Sequence, residues 1–143
     1  MTESWTNSSH TNAYLSIDNY NLVMRQDRQG KGGGGILLYA RTSISSLIVP
    51  GSSDIGDGVF NQYISCKIAS KHGDLSLYVI YRPPKTCDPD CISNNQKLCN
   101  LIQSTPNKSI LCGDFNYSSI DWSSMSGDLF EKQFLDCCDD KFL

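Results

Sequence analysis

The residues best suited to chemistry gather in Ile110-Leu-Cys-Gly-Asp-Phe-Asn116. A short apolar run there meets a glycine, which lets the backbone turn closely, and then an aspartate and an asparagine at i and i+2. In extended chain those two side chains point to one side, so a carboxylate and a carboxamide could act on one substrate atom. The same residues suit a strand-ending Asx turn, and spacing alone leaves both readings open. A second strand end, Val79-Ile-Tyr-Arg-Pro-Pro84, presents a phenol and a guanidinium held by a rigid Pro-Pro, or is a plain exit into a loop. Thr2-Glu-Ser-Trp5 places a carboxylate beside an aromatic, as any exposed glutamate would.

Four consecutive glycines, Gly32 to Gly35, follow Lys31. A nucleotide phosphate loop needs GxxxxGK[ST] leading into a helix whose amides face the phosphate. Here the lysine precedes the glycines, no Ser or Thr follows it, and the run enters the strand-like Ile36-Leu-Leu-Tyr39. It reads instead as a loop that tightens into a sheet where side chains would obstruct close packing. Arg25, Arg28, Lys31 and Arg41 flank it with only Asp27 opposing, either a local phosphate-binding patch or an ordinary solvated loop. The net charge of −3 argues against nucleic-acid binding by a broadly basic surface, so any such contact must be local.

A length of 143 residues suits one domain with a core of its own, and no apolar run is long enough to cross a membrane. The opening MTESWTNSSH shows no secretory leader, and the seven cysteines are odd in number without a CxxC pair. These features point to reduced thiols in the cytoplasm or nucleus, and not to secretion. Cys87 and Cys91 have CxxxC spacing but no second pair at zinc-finger distance, and are read as small buried hydrophobes. His10 and His72, the only histidines, are expected in solvent.

The elements that must position these groups are mostly short strands. Ile36 to Ala40 is one, and Ser46 to Val49 is a second that Pro50-Gly51 should stop. Phe60 to Ala69 and Leu75 to Tyr81 alternate about Lys71-His-Gly-Asp74, predicting an antiparallel hairpin with a four- or five-residue loop. Arg82-Pro83-Pro84 ends it, since prolines cannot donate to a ladder. A helix is predicted from about Ile92 to Gln103, then a short buried strand over Ser109 to Cys112. Asp128 and Glu131 form a capping box for a last helix with a stripe of Phe130, Phe134, Leu135 and Cys138.

Taken in order, these segments resemble the endonuclease/exonuclease/phosphatase superfamily, within it the endonuclease domain of non-LTR (LINE-type) retrotransposons. The resemblance runs through Thr2-Glu-Ser-Trp5, Asn19-Tyr-Asn-Leu-Val-Met-Arg-Gln-Asp-Arg28, the glycine run with Tyr39-Ala-Arg41, Tyr81-Arg-Pro-Pro84, Gly113-Asp-Phe-Asn116 and Ile120-Asp-Trp122. It implies a DNase I-like α/β fold, a partial four-layer sandwich of two packed mixed sheets flanked by helices. It implies Mg²⁺-dependent nicking of DNA, with Mn²⁺ as the alternative ion, no small-molecule cofactor and no membrane. In an intact element the partner would be a fused reverse transcriptase, primed from the 3′ hydroxyl of the nick.

Carried over position by position, the resemblance makes Glu3 the metal-binding glutamate and Tyr81 the tyrosine on the scissile phosphate. Asp114 becomes the aspartate that orients or deprotonates water, and Asn116 the asparagine that hydrogen-bonds the phosphate. Arg25, Arg28, Lys31, Arg41 and Arg82 are weaker candidates for phosphate contacts. The family's asparagine-bearing first strand and its closing Ser-Asp-His motif have no counterpart, nor does a reverse-transcriptase segment, so residues 1–143 are read as one incomplete domain. Marginal stability and little or no nuclease activity are expected of it. A non-catalytic fragment with weak nucleic-acid binding, or another phosphoesterase of the superfamily, are the competing readings.

Overall fold

The computed structural model describes residues 1–27, 33–54, 62–84 and 90–141. Strands β1 (Tyr20–Gln26) and β2 (Ile36–Arg41) form an antiparallel pair. Strands β3 (Ile48–Asp54), β4 (Gln62–Ile68), β5 (Leu75–Tyr81) and β6 (Ser109–Asp114) form a second sheet in that order. The first three run antiparallel, and β6 lies parallel to β5 after a crossover through helix α1 (Asp90–Ser104). Helix α2 (Leu129–Asp140) closes the described chain.

Alternation along β5 decides the layering, because successive side chains leave opposite faces of a strand. Val79 and Tyr81 join Ile36 of β2 and Ile64 of β4 in a core between the two sheets. Ile80, between them in sequence, joins Leu98, Cys99, Ile102, Phe134 and Cys137 in a second core under the helices. The order is thus helices, four-stranded mixed sheet, two-stranded sheet, the mixed α/β architecture expected. Residues 1–5 add an irregular edge to β2: Thr2 bridges Ile36, Leu37 N donates to Met1 O at 2.9 Å and Trp5 N to Gly34 O at 2.9 Å.

The predicted hairpin forms with Ile68 opposite Leu75 and Gln62 opposite Tyr81. Both helices form, α1 reaching slightly beyond its predicted ends, and the capping box is present with Asp128 accepting from Phe130 N and Glu131 N. Three expectations are corrected. The strand predicted over Ser46 to Val49 begins only at Ile48, after a 3-10 turn over Ser45–Leu47, and Pro50-Gly51 does not stop it: β3 continues to Asp54, with a register shift between Pro50 and Ser53. That is tolerable because β3 is an edge, where a missing N–H breaks no ladder. The strand ending in Asp114 is not buried: β6 is the opposite edge, with Ile110 47% exposed and Cys112 exposed. His10 is half-buried, whereas His72 is exposed. The strand β1 was not foreseen.

Cys66, Cys91, Cys99 and Cys137 are buried, and burial pushes the Cys99 thiol up to about 12, so it behaves as a small hydrophobe. Cys87 lies outside the described residues.

Candidate active site

Register places the predicted residues at one corner. Gln62 at the start of β4, Tyr81 at the end of β5 and Asp114 at the end of β6 lie side by side across three strands. Gln62 is 1% exposed, and its Oε1 accepts from Gly35 N at 2.9 Å. One residue earlier, Gly34 N donates to Glu3 Oε2 at 3.0 Å. Glu3 is therefore joined to the strand-end row through two adjacent glycine amides. Gly33, Gly34 and Gly35 have φ of +85°, +77° and +87°, a left-handed run that side chains would strain. The glycines thus position a carboxylate as well as permitting close packing.

Beyond β6 the backbone leaves the strand. Gly113 takes φ +141° and Asn116 φ +49°. Asp114 Oδ1 accepts from Asn116 N at 3.2 Å, the Asx turn that spacing had left open, so the two side chains do not lie in extended register. Asn116 Nδ2 donates to Arg82 O at 2.7 Å, which uses one of its two amide hydrogens. Glu3 also has positive φ, +53°, so two of the predicted site residues hold conformations that non-glycine residues rarely adopt. Such strain concentrates at functional sites.

Two of the arginines expected to contact phosphate have their guanidinium groups engaged within the protein. Arg82 is 3% exposed: its Nη1 donates to Phe115 O at 3.3 Å and Asn116 O at 3.1 Å, and its Cζ lies 4.1 Å from the Tyr117 ring centroid. Its Nε is buried without a partner among the described residues. Tyr117, whose hydroxyl burial pushes upward, donates to Asn95 Oδ1, and Asn95 Nδ2 donates to Gln133 Oε1 at 2.8 Å. Arg82 therefore ties the Asp114–Asn116 turn to both helices instead of facing solvent.

Arg25 is likewise committed. It forms a bidentate pair with Asp27 at 2.8 and 2.7 Å, and donates to His10 O, Asn12 Oδ1 and Asn7 O. The fork clasps residues 7–12 onto β1, which leaves no geometry for a phosphate. Arg41 is exposed but stands at the far end of β2 from Ile36, about 16 Å along the strand from the glycine corner. Arg28 and Lys31 lie outside the described residues.

The Arg25 guanidinium, with help from Thr6, holds the Asp27 carboxyl below its ordinary 3.8. A carboxylate with a depressed folded value contributes stability that is complete above the unfolded value and is lost as pH falls through the folded one. Asp27→Asn is expected to cost about 1–2 kcal/mol at pH 7. That difference from wild type should shrink as urea midpoints are measured at successively lower pH below about 4. A difference independent of pH would show that the pairing is not ionic.

Tyr81 is 3% exposed and packs in the inter-sheet core, so a phosphate contact by this residue rests on its hydroxyl alone. Gln62, which sequence reasoning missed, is the buried bridge of the site; its Nε2 has no partner among the described residues. The signal was available only as a polar residue at the head of the strand face otherwise filled by Ile64, Cys66 and Ile68. Among the described residues no three His, Cys, Asp or Glu converge on a point, which does not suit an all-protein zinc cage. The Glu3 carboxylate is an oxygen donor of the kind that would hold a hard divalent cation, which would act as a Lewis acid there.

Residues 75–143 match the family model described as endonuclease-reverse transcriptase. The matched span holds β5, Tyr81, β6, Asp114 and Asn116. Among solved structures, the chain is similar to D. rerio TDP2 complexed with single strand DNA product, at 14% identity and TM-score 0.44 over 76% of this chain and 44% of that one. It is also similar to humanized D. rerio TDP2 with 14 mutations, at 15% identity and TM-score 0.46 over 80% of this chain and 49% of that one. The chain spans less than half the length of these structures. No curated protein matches it.

Proposed function

We propose that residues 75–143, which match the endonuclease-reverse transcriptase family model, are part of an endonuclease/exonuclease/phosphatase domain whose site hydrolyses DNA phosphodiesters with a divalent metal, as a retrotransposon nicking endonuclease does, and that it does so weakly in this chain. The observation that carries the reading is the corner itself. Tyr81 and Asp114 are neighbours across β5 and β6, Asn116 is held two residues on, and Glu3 is tied to the same row through Gly34, Gly35 and Gln62.

The chemistry follows from what each group has left to offer. Asp114 spends one carboxylate oxygen on the Asn116 amide, which leaves the other to orient and take a proton from an attacking water. Asn116 retains one amide hydrogen for a non-bridging phosphate oxygen, where charge grows as the attack proceeds. Glu3 is the residue to hold Mg²⁺, which when bound supplies a Lewis acid for the phosphate. The nick would leave a 3′ hydroxyl for an adjoining reverse transcriptase to extend. Commitment of Arg25 and Arg82 to internal bonds removes two phosphate contacts and supports weak DNA affinity.

The test is relaxation of supercoiled plasmid by purified protein in Mg²⁺, in Mn²⁺ and in EDTA, beside Asp114→Ala. Slow metal-dependent nicking that Asp114→Ala reduces by about a hundredfold or more is expected. Wild type indistinguishable from the EDTA and Asp114→Ala controls would sink the enzymatic reading in favour of a non-catalytic nucleic-acid-binding fragment. Faster release of phosphate from a phosphoinositide or an RNA end than from plasmid would move the site to another branch of the superfamily.

A further inference from the structure

The seam between the two helices brings two cysteines together. Asn95, Cys99 and Gln103 stand one turn apart along α1, and Gln133 and Cys137 one turn apart along α2. Asn95 Nδ2 donates to Gln133 Oε1 at 2.8 Å, Cys99 Sγ to Gln133 O at 3.7 Å, and Gln103 Nε2 to Cys137 Sγ at 4.0 Å. Gln133 O is also the helical acceptor for the amide of Cys137, four residues on, so the Cys99 sulfur reaches the turn that Cys137 closes. Both side chains belong to the core under the helices. The seam is nevertheless open to solvent along an edge, where a groove of about 230 Å³ is lined by both cysteines with Gln96 and Asp136.

We propose that Cys99 and Cys137 are a peroxide-responsive pair, reduced at rest and joined by hydrogen peroxide into a disulfide that staples α1 to α2. Neither cysteine is among the groups assigned to hydrolysis, so the pair stands whether or not the site cleaves DNA.

The groove admits peroxide, which is little larger than water. Gln103 donates toward the Cys137 sulfur, a contact that steadies a thiolate there. Burial, and after it the neighbouring Cys137 thiol, keep Cys99 protonated. Cys137 is therefore the first to react: its thiolate attacks one peroxide oxygen, the O–O bond breaks and hydroxide leaves, giving a sulfenic acid. The Cys99 sulfur then attacks the Cys137 sulfur, the S–O bond breaks, and that oxygen leaves as water with the Cys99 proton. Peroxide gains two electrons and each sulfur gives up one. The bond closes a loop that contains β6, Asp114 and Asn116, and removes freedom chiefly from the unfolded chain.

Treatment of the reduced full chain with hydrogen peroxide, followed by alkylation in urea and tryptic mapping by mass spectrometry, tests the pair. Peptide 98–108, which holds Cys99, should appear linked to peptide 133–141, and dithiothreitol should separate them. Because peptide 133–141 carries Cys138 as well, Cys138→Ser assigns the bond: the link should persist in that variant and vanish in Cys137→Ser and in Cys99→Ala. The urea midpoint of oxidised wild type should exceed that of the reduced protein by about 1 M, with no such gain in Cys99→Ala or Cys137→Ser. The reduced variants' own midpoints show whether they fold. Thiols that stay free in excess peroxide, a link that Cys138→Ser removes, a link between chains in place of one within a chain, or an oxidised midpoint no higher than the reduced one would each overturn the proposal.

Discussion

Gly113→Ala is expected to destabilise the fold severely. An added Cβ would stand 1.8 Å from Ile80 O and 2.8 Å from Ile80 C and N, all backbone atoms that no rotamer change moves aside. Ile80 is fully buried beneath both helices, so yielding there means separating β5 from β6 or lifting β5 from α1. The φ of +141° adds strain of its own, since an L side chain rarely adopts it. Together these place the cost at about 4 kcal/mol or more, in the range reserved for overpacked cores. A domain of this size has about 5–15 kcal/mol in total, so a quarter or more of its stability goes with one methyl group.

The measurement is urea unfolding followed by far-UV circular dichroism. Gly73→Ala serves as the comparator, because Gly73 also has positive φ, +99°, yet an added Cβ there meets only Lys108 Nζ, at 3.3 Å. It should cost about 1 kcal/mol, the conformational part alone. If Gly113→Ala cost no more than Gly73→Ala, the close approach of β6 to Ile80 would be wrong, and with it the placement of Asp114 beside Tyr81.

That approach explains why the strand ends carrying the candidate residues were legible in the sequence. A glycine followed by Asp and Asn at the end of an apolar run, and a Tyr-Arg before two prolines, both mark strand ends. Parallel pairing of β5 with β6 then sets Tyr81 and Asp114 side by side. Local chemistry was equally readable at Asp128 and Glu131, whose reciprocal capping depends on three-residue spacing and nothing distant. What could not be read was anything set by a partner far along the chain. Burial of Ser109 to Cys112 was inferred from their apolar character, but a strand's position in the sheet order is not written in its own residues. Pro50 reads as a stop until β3 is known to be an edge. Gln62 looks like one polar residue among many until Gly35 is seen to donate to it. The arginines show the limit most plainly, because side-chain type announces a positive charge and says nothing of whether the fold has already used it.

Arg82 makes that last point measurable. Were it an exposed phosphate contact, Arg82→Ala would change stability by no more than about 0.5 kcal/mol and would lower the salt dependence of DNA binding by about one phosphate's worth. Its surroundings predict the reverse. Truncation leaves Phe115 O and Asn116 O without their donor, uncovers the face of Tyr117 and opens a void where the guanidinium lay. Losing a buried charged hydrogen-bonding group of this kind costs about 3 kcal/mol or more. Arg82→Lys should recover only part of it, because a single ammonium cannot span two successive carbonyls while stacking on a ring as a planar fork does. The bond from Asn116 Nδ2 to the carbonyl of residue 82 is made to backbone and survives either substitution. The turn therefore loses one of its two ties to β5, and its conformation should loosen without inverting. Thermal unfolding and a salt titration of DNA binding, performed on the same three proteins, decide between the two roles. A buried clamp predicts a graded fall in stability from Arg to Lys to Ala with an unchanged salt slope, whereas stability held constant with a shallower slope would return Arg82 to the surface.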